Sequence, residues 1–556
     1  MRYFFILLFL SSCSYDVKIN EADLILSSNK VILMTGDHEA QPLSIAIKNE
    51  NIIWIGSHED AKDIKGKQID YGDHAILPGF VDAHGHASYL AFASQVANIA
   101  SPPVGKINTI EELQTALKRF IKDSNLQAGE WVMGLGYDDS LLKERRHPTK
   151  DDLDAVSTEH PIYLIHVSAH LGAANSLGLS LAGINSKTPN PPGGKIRRYK
   201  NSTEPNGVFE ETAAYPVQQL AMSAYKDPIG SVKKAMDIYA MHGITTAQDG
   251  ASSPETIALM KAADQQGMIN LDIISYPIGQ NGLDENINSI NFGKYEGRVK
   301  IGGIKLILDG SPQGKTAYLT EPYYKPPHSE SESYKGYPLI PQSEVSKWVK
   351  KYAELNIPIM AHANGDAAAD MLIKAVNDAE ITSDHRTIMI HAQTVREDQL
   401  DQMEELKIIP SYFSTHTFYW GDWHRDSVFG EERAMRISPT KSTLNRKMPF
   451  TVHNDAPVVP PDMIRLLWST TNRETRSGKV LGEEQKISTY AALEAMTINA
   501  AYQHFEDDIK GSIQVGKLAD LVVLSEDPLS LEVDDLLKLR VVATYSHGEE
   551  IFNTKK

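Results

Sequence analysis

Apolar residues along this chain recur in short runs. Between residues 21 and 76 the runs at 22–26, 31–34, 43–47 and 52–56 are strand-length, and Lys48, Asn49, Glu50 and Asn51 part the last two as a hairpin-like turn. The same texture returns at 519–524, 541–545 and 550–552. Two β-rich ends around a long middle predict one small β-sandwich domain built from both termini, residues 21–76 and 506–556. Over 77–505 the pattern changes. Runs near 131–135, 161–165, 244–248, 271–276, 301–308, 357–361, 387–391, 408–413 and 449–453 alternate with amphipathic stretches at 110–123, 231–241, 254–266, 343–355 and 366–379. Strands alternating with helices imply an α/β fold with a parallel sheet. About eight such repeats fit a (β/α)8 TIM barrel with insertions, whose reactive groups gather at the C-terminal strand ends.

Those ends are polar here. Residues 76–83 read as a buried strand running into His84-Gly85-His86. Side chains two apart on a strand share a face, so both imidazoles can reach one metal ion. Gly85 lets backbone or ligand come close between them. His362 follows the run at 357–361, His391 ends the run at 387–391, and Asp455 follows 449–453. Lys305 lies inside an apolar run, on one face with Gly303, Ile307 and Asp309, where an unpaired ammonium is costly. Any one of these histidines alone is more often a satisfied core or surface residue; the ordered set carries the signal. His453, two residues before Asp455, reads as structural. Imidazoles and carboxylates suit a borderline divalent ion such as zinc. Such an ion polarises a carbonyl and makes hydroxide from water near neutral pH. Asp455 is then both ligand and base, taking the water proton and delivering it to the leaving amine.

Charge removes one class of partner. The formal net charge is −17, from 55 basic and 72 acidic residues, with no basic stretch standing out. Phosphate binding needs a basic footprint, so nucleic acid is excluded. The N-terminus stands apart from the fold. Met1-Arg2 and the apolar run 3–10, too short to span a bilayer, lead into Leu10-Ser11-Ser12-Cys13. This resembles a bacterial lipoprotein signal, with residues 1–20 as signal and tether and Cys13 as the lipidated residue. It implies a periplasmic or cell-surface protein held to a membrane by its lipid alone, and Ser14 favours the outer membrane. Cys13 is the only cysteine, so no internal disulfide can form. A plain signal peptide with an incidental cysteine is the other reading.

Taken in order, His-x-His, Lys305, His362, His391 and Asp455 resemble the amidohydrolase superfamily of metal-dependent hydrolases. The likeness covers nearly the whole chain and includes the C-terminal segment 511–521. More narrowly it is similar to the amidohydrolase 3 branch, which includes N-substituted formamide deformylases, through Asp309-Gly310-Ser311, the segment 416–422, and 457–462 followed by Asn472-Arg473. The resemblance implies that His84, His86 and Asp455 hold one ion, with His362 and His391 holding a second or assisting the first. It implies a carboxylated Lys305 as bridge; an unmodified Lys305 pairing with Asp309 or touching substrate is the alternative. It matches His170 and His416 to substrate or oxyanion contacts and Trp420 to a pocket wall, each against a structural or packing role. The loops 189–194 and 326–332 are candidates for a lid. The function implied is hydrolysis of a linear amide, an N-acyl or N-formyl amine. The rivals are a cyclic amide or amidine hydrolase or deaminase, and a non-catalytic binding lipoprotein. The partner is a small-molecule amide, and a homodimer is an allowed assembly.

Overall fold

The computed structural model describes residues 19–222, 227–280, 287, 290–327 and 330–555. Cys13 with its leader lies outside the described residues, as do His328 and Ser329 of the second candidate lid loop. The chain begins with β1 (Glu21–Val31), β2 (Gln41–Lys48), β3 (Asn51–Gly56), β4 (Lys65–Asp70) and β5 (Ala75–Pro78), then the two-residue β6 (Phe80–Val81). Next come β7 (Ala97–Asn98), β8 (Val132–Tyr137), β9 (Ile162–His166), β10 (Leu171–Ala174), β11 (Gly194–Arg198) and β12 (Pro205–Glu211). They are followed by β13 (Ile244–Ser252), β14 (Asp272–Pro277), β15 (Tyr295–Glu296), β16 (Val299–Ile301), β17 (Ile304–Ile307), β18 (Ile359–Ala363), β19 (Ile388–His391), β20 (Ile409–Tyr412) and β21 (Thr451–Val452). The last strands are β22 (Leu521–Leu524), β23 (Val541–Ser546) and β24 (Glu549–Asn553).

The two ends of the chain share one eight-stranded sheet, ordered β24-β23-β22-β5-β1-β2-β3 with β4 also on β1. It is a single sheet, where the pattern predicts a sandwich of two. The physical cause is β1, which pairs with β4 along its first half and with β5 through Lys30 and Val31, changing partner at an irregularity between Ser28 and Val31. Alternation then works as expected. Ile76, Leu521 and Val523 enter the sheet's own core, while Ala75, Leu77, Val522 and Leu524 enter the large central core.

The central region forms two parallel arcs. One is β15-β16-β14-β13-β6, parallel except for the antiparallel edge strand β15, and the other β17-β18-β19-β20-β21. A parallel bridge between Ile278 and Lys305 links them on one side. No continuous ladder closes a barrel among the described residues. The helices between strands match the amphipathic stretches closely: Ile110–Asp123, Pro228–Met241, Pro254–Gln265, Gln342–Glu354 and Asp366–Asp378. Thr109, Asp227 and Ser253 begin three of them by accepting a backbone N–H in the first turn.

Further sequence expectations fail here: residues 32–34 are not a strand, and the run 301–308 is split between β16 of one arc and β17 of the other. The runs at 131–135 and 161–165 are not barrel strands. They are β8 and β9 of a separate six-stranded sheet, β11-β12-β10-β9-β8-β7, inserted after β6. That sheet has cores of its own: Val132, Tyr137, Ile162 and Leu164 on one face, Met133, Tyr163 and Ile165 on the other. Burial on both faces gives the same apolar run as a barrel strand, so periodicity cannot separate them. The run 76–81, read as one strand, is two. Gly79 N–H donates to Asp520 O in the terminal sheet (2.8 Å), and Phe80 N–H donates to Gly243 O in the barrel arc (3.0 Å).

Candidate metal centre and active site

Beyond β6 the chain leaves strand geometry, and backbone bonds set the first two histidines. Gly250 N–H donates to Gly85 O (2.8 Å), Asp455 N–H to His84 O (3.1 Å) and His86 N–H to Ala456 O (2.8 Å). The His-x-His segment and the Asp455 segment are therefore tied main chain to main chain. A Cβ at Gly85 would stand 2.3 Å from Asp82 Oδ2 and displace that side chain. What comes close between the histidines is a carboxylate. His391 and Asp455 have φ of 72° and 58°. Non-glycine residues rarely adopt this left-handed region, and holding one there costs of the order of 1–3 kcal/mol, a strain that collects at functional sites.

The nitrogens that face inward can be assigned from what holds the outward ones. Gln248 Nε2 donates to Ala83 O (2.7 Å), which turns its Oε1 onto His84 Nδ1 at 2.5 Å. His84 Nδ1 then carries the proton, and Nε2 presents a lone pair. Gly310 O accepts from His362 Nε2 (3.1 Å), leaving Nδ1 free 3.1 Å from His391 Nε2. His391 Nδ1 meets His453 Nε2 at 3.2 Å, and His453 Nδ1 meets Ser411 Oγ at 2.9 Å. His453 thus orients a candidate ligand, in line with its structural reading. Such partners fix tautomer and ring orientation in metal sites.

The inward atoms converge. Asp455 Oδ1 lies 3.0 Å from His86 Nε2 and 3.5 Å from His84 Nε2, and Asp455 Oδ2 lies 3.9 Å from His391 Nε2. Oδ1 is buried and meets only these imidazoles; no hydroxyl, amide or ammonium donates to it. Lys305 Nζ is 3.2 Å from His84 Nε2. One donor atom each from His84, His391 and Asp455 falls within a 4.8 Å cluster. A buried carboxylate oxygen amid lone pairs is what a cation would satisfy, so the residues fit a divalent metal. Burial, helped by Lys305 and neighbouring imidazoles, holds His84, His362 and His391 well below the ordinary histidine pKa, in the neutral form that ligates. Burial alone would raise the Asp455 carboxyl; contacts with His86 and His84 bring it well below the usual carboxylate range. Burial, only partly offset by Asp455, brings Lys305 down to about 7. Lys305 does not pair with Asp309. That carboxylate is occupied by backbone N–H groups of Tyr318, Asn364 and Gly365, at 2.9, 3.0 and 2.8 Å.

A cavity of about 350 Å³ opens over these groups, lined at its floor by His84, His86, Lys305, His362, His391 and Asp455. His170 reaches it from the inserted sheet, following β9 rather than a barrel strand. Its Nδ1 donates to Glu211 Oε2 at 2.7 Å, and its ring centroid lies 5.0 Å from that of His362. Burial would lower the His170 pKa, but the charge and hydrogen bond of Glu211 outweigh it and raise it. His416 and Trp420, expected at the substrate, stand one layer back, and neither lines this cavity. His416 packs on Phe413 at 4.4 Å between ring centroids and meets His424 Nε2 at 2.9 Å; Trp420 Nε1 donates to Asp138 Oδ2 at 2.7 Å. Phe413 in turn faces His453 at 5.4 Å. Of the candidate lid loops, Lys195, beside the first, forms an ion pair with Glu330 of the second. Gln248 and Glu211 are the residues that sequence reasoning missed. A glutamine and an aspartate inside the buried strand β13 were the available signal for the first.

Two further groupings resemble ligand sets and are not. Around Asp139, His147 and His166, the Ser168 N–H points at His166 Nδ1 (3.2 Å). An amide only donates, so the ring proton sits on Nε2 and goes to Asp139 Oδ1 at 3.1 Å. A protonated nitrogen cannot ligate. Among Asp272, Asp520 and His547, the ammonium of Lys510 already lies 2.5 Å from Asp272.

The sequence matches the amidohydrolase family profile over residues 67–552. The chain belongs to the amidohydrolase family. Membership makes it a metal-dependent hydrolase acting on carbon–nitrogen bonds, with a divalent metal as cofactor. It is 27% identical over 525 residues to the N-substituted formamide deformylase of Arthrobacter pascens, covering 91% of this chain and 94% of that protein. It is 25% identical over 535 residues to the protein LONG AFTER FAR-RED 3 of Arabidopsis thaliana, covering 92% and 88%. Among solved structures it is similar to an uncharacterized metal-dependent hydrolase from Pyrococcus horikoshii OT3, with a TM-score of 0.72 and 22% identity, covering 92% of this chain and 99% of that one. At that identity the likeness speaks to the fold, which is of the TIM-barrel type with mixed α/β content.

Proposed function

We propose that this amidohydrolase cleaves a linear amide, an N-acyl or N-formyl amine, with zinc as its metal. The observation that carries the reading is the buried Asp455 carboxylate, whose two oxygens face three imidazoles, those of His84, His86 and His391, on a cavity floor. The formamide-cleaving relative supports the substrate class, and the nitrogen-rich donor set suits zinc. His84, His86, His391 and Asp455 would hold the metal, with His362 and Lys305 in reach for a second ion. When bound there, a divalent ion polarises a carbonyl and lowers the pKa of water.

The chain's own residues do the rest. Asp455 accepts the proton of the attacking water and passes it to the amide nitrogen. A C–O bond forms, the C–N bond breaks, and the products are a carboxylic acid and an amine. His170, whose pKa the charge and hydrogen bond of Glu211 raise, donates to the carbonyl oxygen as negative charge builds there. Lys305, with its pKa brought down to about 7 by burial, offers a neutral amine that adds CO2. That step makes an N–C bond and releases one proton, giving an anion that can bridge two ions. Extra density or added mass on Lys305 reports it. The central test is Asp455→Asn, for which kcat on N-formyl and N-acyl amines is expected to fall about a hundred- to ten-thousandfold with the circular dichroism spectrum unchanged. Unaltered turnover in that variant, or no turnover of any linear amide by the metal-loaded protein, rejects the reading.

A further inference from the structure

We infer that the substrate is an uncharged amide bearing a long apolar substituent, which runs from the reacting carbonyl along the helix Tyr215–Met222 to the cavity mouth. The inference rests on the amide-hydrolase reading above and extends it to the substrate. The cavity is divided in two. Its floor holds the imidazoles, Lys305 and Asp455, with the His170–Glu211 pair beside them; its wall carries Tyr89, Phe92, Leu259 and Leu339. The helix Tyr215–Met222 completes that wall. It turns Tyr215, Gln218 and Met222, at i, i+3 and i+7, toward the cavity, while Val217 and Ala221 enter the core of the inserted sheet.

Tyr215 and Met222 are 51% and 36% exposed. Scattered surface apolar residues need no explanation. These two are the outer end of an apolar wall that begins at the reacting groups, so the ligand that covers them is a substrate tail in continuous contact with both. Charge narrows the class further. The lining includes no arginine, and its only lysine is Lys305, at the floor. A carboxylate on the tail would find no arginine or lysine along the wall, which disfavours N-acyl amino acids.

The test measures kcat/KM of the metal-loaded protein on two homologous series, N-alkylformamides and N-methyl fatty amides, from methyl to dodecyl. The series place the tail on the amine or the acyl side. In one of them kcat/KM is expected to rise roughly threefold per methylene until the tail reaches the mouth. Homologues ending in a carboxylate are expected to react about a hundredfold more slowly. Met222→Glu is expected to flatten the rise for the longest members. Rates independent of length in both series, or carboxylate-ended tails accepted as well as plain ones, overturn the inference and leave amide hydrolysis standing. No turnover of any member by the metal-loaded protein overturns both.

Discussion

A single hydrogen bond decides how His84 can act. Its Nδ1 is claimed by Gln248 Oε1, which is itself aimed by a bond from Gln248 Nε2 to Ala83 O. Replacing Gln248 with leucine removes the acceptor and frees the imidazole to rotate or exchange tautomers. Gln248→Leu is expected to weaken metal affinity about 10- to 100-fold, the usual effect of losing such a support, and a competition titration with a chelating dye measures it. Retained affinity would show that the bond does not set the tautomer. At this scale much was legible in the sequence. His84, His86, Lys305, His362, His391 and Asp455, which the fold brings to one cavity, stand out in the sequence because each ends or interrupts an apolar run, where a polar group needs a reason. Gln248 escaped because a glutamine inside a strand can equally be a satisfied core residue. His416 and Trp420 stand behind the cavity lining, since adjacency in sequence to a strand end does not say how many layers of side chain stand between.

Elements deliver these residues through their ends. His170 follows β9 and Glu211 ends β12, two strands of the inserted sheet and not of the barrel arcs. Their pair depends on that sheet docking at the cavity. Glu211, with φ of 48°, turns its carboxylate onto His170. Without that charge burial is opposed only by the more distant Asp309 and Asp455, and the imidazole pKa falls. Glu211→Gln is therefore expected to move the alkaline limb of the kcat/KM profile to lower pH. A one-unit move corresponds to roughly tenfold less activity above the limb. The pH–rate profile, with NMR titration of the His170 ring, checks it, and an unmoved limb would remove His170 from the reacting groups. The helices and most strands were legible, because period and capping residues are local properties. Membership of a sheet was not, because β8 and β9, buried on both faces, carry the same signature as a barrel strand.

Across the whole molecule, a buried charge cluster joins the barrel arc to the C-terminal segment. Lys510 Nζ lies 2.5 Å from Asp272 Oδ2 and 2.9 Å from Glu506 Oε2, and Lys300 Nζ lies 2.5 Å from Glu506 Oε1. Against the effect of burial, Lys510 and then Lys300 bring Glu506 from 4.5 down to about 2. Lys300 is itself lowered by burial while Lys510 is raised by its two carboxylates, so Lys510 is the stronger partner. A depressed folded-state pKa means stability present in full above the unfolded value and lost as pH falls through the window from 4.5 to about 2. The shift corresponds to about 3 kcal/mol. Glu506→Gln is expected to lower stability near neutral pH by about that much and to flatten the acid loss of thermal midpoint over the same window. An unchanged acid limb would show that the cluster does not hold the two parts together.

The sequence by itself determined the strands and helices, the terminal pairing of β-rich ends, and the ligand-type side chains at strand ends, because periodicity and capping act over a few residues. Only the tertiary structure decided which sheet each strand joined, that Asp455 is tied to His84 through the main chain, which nitrogens of His84, His362 and His391 face inward, and that the helix Tyr215–Met222 lines the cavity. Those depend on contacts between residues from tens to hundreds of positions apart, and no local pattern encodes which distant partner supplies them.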